Sequence, residues 1–200
     1  VGILLIVGFF LSVGWYYLSA YQKRRKGVHS HYSLLALVLF IAILVDKVFF
    51  LLADVVAGSV NLESFQNPLN FYFLAPLAFG AILLILLVDV EVSILYSLIS
   101  AVFVGMMTGD LAMFVYALTS SLAAIHLMSR YRERAAMIKG GFILGAVNVV
   151  TVLSLQLYVA EIPFQLASFL IRALGGSLSG LFSTMLAFSL LPILEALFRI

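Results

Sequence analysis

The sequence predicts an all-α integral membrane protein, a bundle of seven transmembrane helices with its N-terminus outside and its C-terminus cytoplasmic. Three observations predict it. Of the 200 residues, 64% are hydrophobic and 10% charged, against roughly 45–50% and 25% in a soluble domain. The apolar residues gather into seven continuous stretches, each near the roughly 20 residues that one helical span requires. Nine of the eleven Lys and Arg residues fall on one side of that arrangement, which the positive-inside rule makes cytoplasmic. Disorder is excluded by the same composition, and β-barrel strands by runs that are continuous rather than alternating. With no cysteine, disulfides and thiolate metal sites are ruled out. A net charge of +2 gives no reason to expect a nucleic-acid partner.

The first span runs from Val1 to about Ala20 and stops at Lys23-Arg24-Arg25-Lys26. It is not a signal peptide, because its basic residues follow the apolar run and no small-residue cleavage site succeeds it. The second span, about Ser33 to Val56, carries Asp46, Lys47 and Asp54. A polar loop from Gly58 to Asn67 leads to Pro68 and a third span, about Asn70 to Val88, with Pro76 inside it. Asp89-Val90-Glu91 turns into the fourth span, Val92 to Met107. After Thr108-Gly109, Asp110 is placed to cap the fifth, Leu111 to Met128. Arg130, Arg132, Arg134 and Lys139 form a second basic run before the sixth span, Gly140 to Ala160. Glu161-Ile162-Pro163 turns into the seventh, Phe164 to about Leu191, whose Gly175-Gly176 and Pro192 suggest a kink or tilt. Both basic runs and Arg199 follow odd-numbered spans, so span count and charge placement give one orientation.

No catalytic constellation is present. His29 and His31 lie in a short basic loop without an acidic partner, as interfacial residues do. Gly109-Asp110 occurs once and reads as a cap rather than half of a protease dyad. There is no P-loop, nucleophile elbow or zinc-protease motif, and no cofactor is expected in this chain.

Ionisable groups inside spans are more informative, because each costs about 2.5–3.5 kcal/mol at the bilayer centre on insertion scales. Asp46, Lys47, Asn148 and Arg172 form the candidate intramembrane polar cluster. Sequence neighbours do not face each other on a helix, so Asp46 is expected to pair with Arg172, with Asn148 sharing the hydrogen bonds. Lys47 is expected to snorkel or to be drawn towards Asp54. Such a cluster reads either as a polar switch or ligand site, or as a static ion pair that sets helix packing. Gly141-x-x-x-Gly145 and Gly176-x-x-x-Gly180 offer close-approach faces, with contact inside the bundle favoured over homodimerisation.

The C-terminal third is more specific. Arg132-Glu133-Arg134, Gly140-Gly141, Asn148 and Gly180 precede Leu191-Pro192-x-x-Glu195-x-Leu197-Phe198. This pattern resembles the membrane domain of bacterial seven-transmembrane receptors with an intracellular HD hydrolase. The motif residues are Arg132, Arg134, Leu191, Pro192, Glu195 and Phe198. The resemblance implies an extracytoplasmic sensor domain before these residues and a metal-dependent HD phosphodiesterase, acting on cyclic di-AMP, after them. A chain opening inside a helix at Val1 and closing at Arg199-Ile200 is accordingly expected to be cut from a longer receptor. No His-Asp dipeptide occurs in it, so the catalytic and metal residues of such a hydrolase have no counterpart here. The competing reading is a small-molecule carrier, such as the substrate-binding subunit of a vitamin importer. An odd span count and the lack of two matching half-repeats speak against it.

Overall fold

The computed structural model describes Ser12, Tyr16 and residues 28–60, 65–130, 134–158 and 166–198, with the backbone alone at 28–32, 130 and 134–137. Among the described residues the elements are α1 (Val28–Ser59), α2 (Leu69–Tyr72), α3 (Phe79–Leu87), α4 (Val90–Thr108), α5 (Leu111–Arg130), α6 (Arg134–Tyr158) and α7 (Leu166–Phe198). Five of them, α1 and α4 to α7, are long and apolar enough to cross a membrane. They correspond to the second and the fourth to seventh predicted spans. Of the first predicted span only Ser12 and Tyr16, both helical, are described, and the basic run after it lies outside the described residues.

The exposed faces show what solvates the bundle. Phe40, Leu44, Val48, Leu51 and Val55 make an exposed stripe along α1, as do Leu170, Leu174, Leu178 and Met185 along α7. A soluble bundle would bury such stripes; among the described residues they are what a bundle solvated by lipid presents. Because lipid tails are as apolar as leucine, helix association has no hydrophobic drive and rests on close approach and hydrogen bonds.

The third predicted span is corrected. It is not one helix from Asn70 to Val88 but two pieces, α2 and α3, separated by residues 73–78. The cause is Pro76. Proline has no N–H to donate, its ring clashes with the carbonyl four residues earlier, and it disfavours helical backbone at Ala75. Nine residues long, α3 reaches only about 14 Å, less than half of a bilayer core of about 30 Å. It survives as the hub of the bundle. Seven of its residues are buried, and α1, α4, α5 and α7 all pack against it.

The remaining turns follow their local chemistry. Asp89 caps α4, its Oδ1 accepting from Val92 N at 3.0 Å. Gly109 ends α4 with φ 66°, a left-handed conformation suited to glycine. Asp110 caps α5, accepting from Ala112 N at 2.7 Å. Helix α7 runs through Gly175-Gly176 and Pro192 without interruption.

Candidate functional site

The interruption at residues 73–78 releases backbone groups that lipid cannot satisfy, and such backbone is tolerated only where protein surrounds it. Two distant side chains supply the partners. Tyr116 on α5 donates its hydroxyl to the Phe73 carbonyl at 3.0 Å, and Ser179 on α7 donates to the Ala75 carbonyl at 2.6 Å. Both side chains are buried. Gly175 lets α7 lie directly on this stretch, since a Cβ there would sit 3.2 Å from Leu74 N and 3.4 Å from the Phe73 carbonyl carbon.

One turn earlier on α7, Arg172 completes the clamp. Its Nε donates to Asn70 Oδ1 on α2 at 2.7 Å and its Nη1 to Gln156 Oε1 on α6 at 2.9 Å. Its guanidinium also stands 5.8 Å from the centroid of the Phe73 ring, within cation–π range. One arginine thus holds α2, α6 and α7 together, with α2 leading straight into the interruption.

These partners correct the expected pairing. Arg172 donates to two amide oxygens, not to Asp46, because the sixth and seventh helices form an antiparallel hairpin that puts Gln156 opposite Arg172. Asn148 does not join them: its Nδ2 donates to the Gly176 carbonyl at 3.2 Å. Asp54 accepts from Tyr72 OH at 2.7 Å, so it is engaged with α2. Lys47 lies on the exposed face of α1.

Asp46 sits elsewhere in the interior. It is 2% exposed, and its Oδ1 has no hydrogen-bond partner among the described residues. It lies within electrostatic reach of Tyr96 on α4, whose hydroxyl has Ser100 on its own helix beside it but no bond of good geometry, and packs over Gly80 on α3. Ser120 Oγ, Asn148 Oδ1 and Ser183 Oγ share this condition. All five atoms belong to residues within three positions of the middle of their own spans.

The α6–α7 contact is the most extensive in the bundle. A Cβ on Gly145 would lie 2.6 Å from the Ser177 carbonyl oxygen, and one on Gly180 would strike Gly145 N. A Cβ on Gly141 would meet Thr184 Oγ1 at 2.5 Å. Gly176 is roomier, with its nearest neighbours at 3.4–3.5 Å. At the far end of α7, Leu191 and Glu195 line a cleft of about 560 Å³ with Asp89, Met128 and Ser129. Pro192 and Glu195 are exposed there, and Phe198 is half-buried. Arg132 lies outside the described residues, and Arg134 begins α6. An apolar groove of about 490 Å³ separates α1 from α7, lined by Leu44, Val48, Phe182 and Met185 among others. Among the described residues no group of three or more His, Asp or Glu is placed to hold a metal ion, and no catalytic residues of the HD type occur in the chain.

Sequence reasoning gave no role to Asn70, Tyr116 or Gln156, and took Ser179, with Ser183, only as an extension of the close-approach face of the seventh span. For Gln156 a signal existed: it and Arg172 stand eight residues on either side of Phe164, next to the turn proline Pro163.

Comparison with known proteins agrees with this architecture. The chain is 25% identical over 208 aligned residues to the cyclic-di-AMP phosphodiesterase PgpH of Bacillus subtilis (strain 168), an alignment covering all of this chain and 27% of that protein. The chain therefore spans about a quarter of the length of this curated relative. No solved structure matches it. The family described as 7TM receptor with intracellular HD hydrolase matches residues 1–200. The chain belongs to that family, as a membrane-embedded sensor domain of a multi-pass protein of the bacterial inner membrane.

Proposed function

We propose that this domain transmits an extracytoplasmic or membrane signal to a cytoplasmic HD phosphodiesterase that hydrolyses cyclic di-AMP, with α7 as the moving part. On this reading a sensor domain precedes residue 1 and the HD domain follows residue 200, with the N-terminus outside and the C-terminus in the cytoplasm. The activity in the name of the Bacillus subtilis relative and the family match support it. The observation that carries it is the placement of the clamp. Arg172, Gly175 and Ser179 all lie on α7, the helix that ends in the Leu191 to Phe198 motif. A signal that loosens the grip on residues 73–78 changes how α7 sits, and a helix joined covalently to an enzyme passes that change on. Coupling of this kind requires two arrangements that the stimulus weights differently.

The test uses the full-length protein in membranes. Gly180→Leu places a side chain against the α6 backbone while leaving the HD domain untouched. Phosphodiesterase activity is expected to change at least severalfold with normal insertion. Unchanged activity would remove α7 packing from the signalling route.

A further inference from the structure

We propose that Arg172, with Asn70 and Gln156, forms an oxyanion subsite that receives a carboxylate or phosphate group at the end of the bundle where α7 begins. The proposal deepens the signalling reading by naming the class of ligand, and only its consequence for α7 rests on that reading.

The charge balance at Arg172 motivates it. Its hydrogen-bond partners are two neutral amide oxygens and its third neighbour is a ring face. Among the described residues no carboxylate is in ion-pair contact with it. Asp110 is within electrostatic reach, but its carboxylate caps α5. A guanidinium carries five N–H donors, and the bonds to Asn70 and Gln156 use one on Nε and one on Nη1. The remaining three are one on Nη1 and two on Nη2, and a guanidinium's N–H pairs meet a carboxylate or phosphate in two parallel bonds.

The site is also built and open. Asn70 is 1% exposed and hydrogen-bonded to Arg172, so the fork is fixed in direction before a ligand arrives. Arg172 itself is only half-buried. It stands six residues from the start of α7, about 9 Å along the helix, shallow enough for a headgroup or a dissolved anion to reach. A merely snorkelling arginine would turn outward; this one is turned into the bundle, onto α2 and α6. An oxyanion on the free donors shares the guanidinium that holds α2 to α7, so its arrival bears directly on the clamp.

The shared chemistry has two sources, a soluble oxyanion or an anionic lipid headgroup, and the experiment separates them. The chain is placed in phosphatidylcholine nanodiscs, and its melting temperature is followed while sodium acetate or inorganic phosphate replaces chloride at constant ionic strength. A parallel series uses phosphatidylglycerol nanodiscs. The expected result is a saturable rise in the wild type that Arg172→Gln abolishes. Arg172→Lys keeps the charge but not the fork, and should raise the half-saturating concentration about tenfold. A rise in phosphatidylcholine with acetate or phosphate identifies a soluble oxyanion; a rise in phosphatidylglycerol alone identifies the lipid. No rise in either series, or an equal rise in Arg172→Gln and Arg172→Lys, overturns the proposal. So does a silent wild type beside a responsive Glu161→Gln, because the chain would then supply its own oxyanion. None of these readings involves phosphodiesterase activity, so failure here leaves the signalling proposal to be judged by its own test.

Discussion

Tyr116 meets Phe73 twice: its hydroxyl donates to the Phe73 carbonyl at 3.0 Å, and its ring packs edge-on against the Phe73 ring with centroids 4.8 Å apart. The two contacts separate under mutation. Tyr116→Phe keeps the ring and leaves a buried carbonyl without its partner, at a cost of about 1–2 kcal/mol. Tyr116→Ala loses both and should cost at least about 3 kcal/mol. Reversible unfolding in mixed micelles measures the two; equal losses would mean that the ring contributes nothing, and no loss in Tyr116→Phe that the hydroxyl contributes nothing.

Gly176 and Gly180 should respond differently to alanine. A Cβ at Gly176 enters ordinary contact at 3.4–3.5 Å, whereas one at Gly180 strikes the backbone of α6. Gly176→Ala is therefore expected to stay within about 0.5 kcal/mol of wild type. Gly180→Ala is expected to lose about 2 kcal/mol or more, because backbone cannot step aside as a flexible side chain can. The same unfolding assay decides, and similar losses at both sites would refute the packing described for α6 and α7.

Asp46 and Arg172 should behave as independent sites. Their partners are different, and Arg172 is held by Asn70 and Gln156. In a double-mutant cycle of Asp46→Asn and Arg172→Gln, the coupling is expected to stay below about 0.5 kcal/mol. A coupling above about 1 kcal/mol would restore the ion pair that charge matching suggests.

Topology is open to a direct measurement. Reporter fusions after Lys26, Asn67, Arg134 and Ile200 are expected to read inside, outside, inside and inside, following the placement of the basic residues. An outside reading after Arg134 would change the number of spans before it.

Hydropathy made the long helices legible, because a span must be apolar along its whole length. Asp110 as a cap was equally legible, since capping is local. The interruption at Pro76 was legible only as a proline. Whether a proline bends a helix or ends it depends on who satisfies the freed carbonyls, and here Tyr116 and Ser179 come from α5 and α7. The partners of Arg172 were hidden for a related reason. Charge matching searches for the opposite sign, whereas this fold answers a cation with Asn70 and Gln156, neutral side chains near helix ends.

Because α3 is too short to cross a bilayer, its assembly has an order in time. Phe73 precedes Tyr116 by 43 residues, and Ala75 precedes Ser179 by 104. At about 5–20 residues per second of synthesis, the Ala75 carbonyl, which Leu77 N already meets locally, is made roughly 5–20 s before its α7 partner exists. During that interval the α2–α3 segment has no reason to settle at membrane depth. The nascent chain is therefore expected to hold it at the interface, entering as a hairpin with α4 only as the later helices arrive. A ribosome stalled before α7 should leave residues 73–78 open to water-borne labelling reagents, and one stalled after it should not.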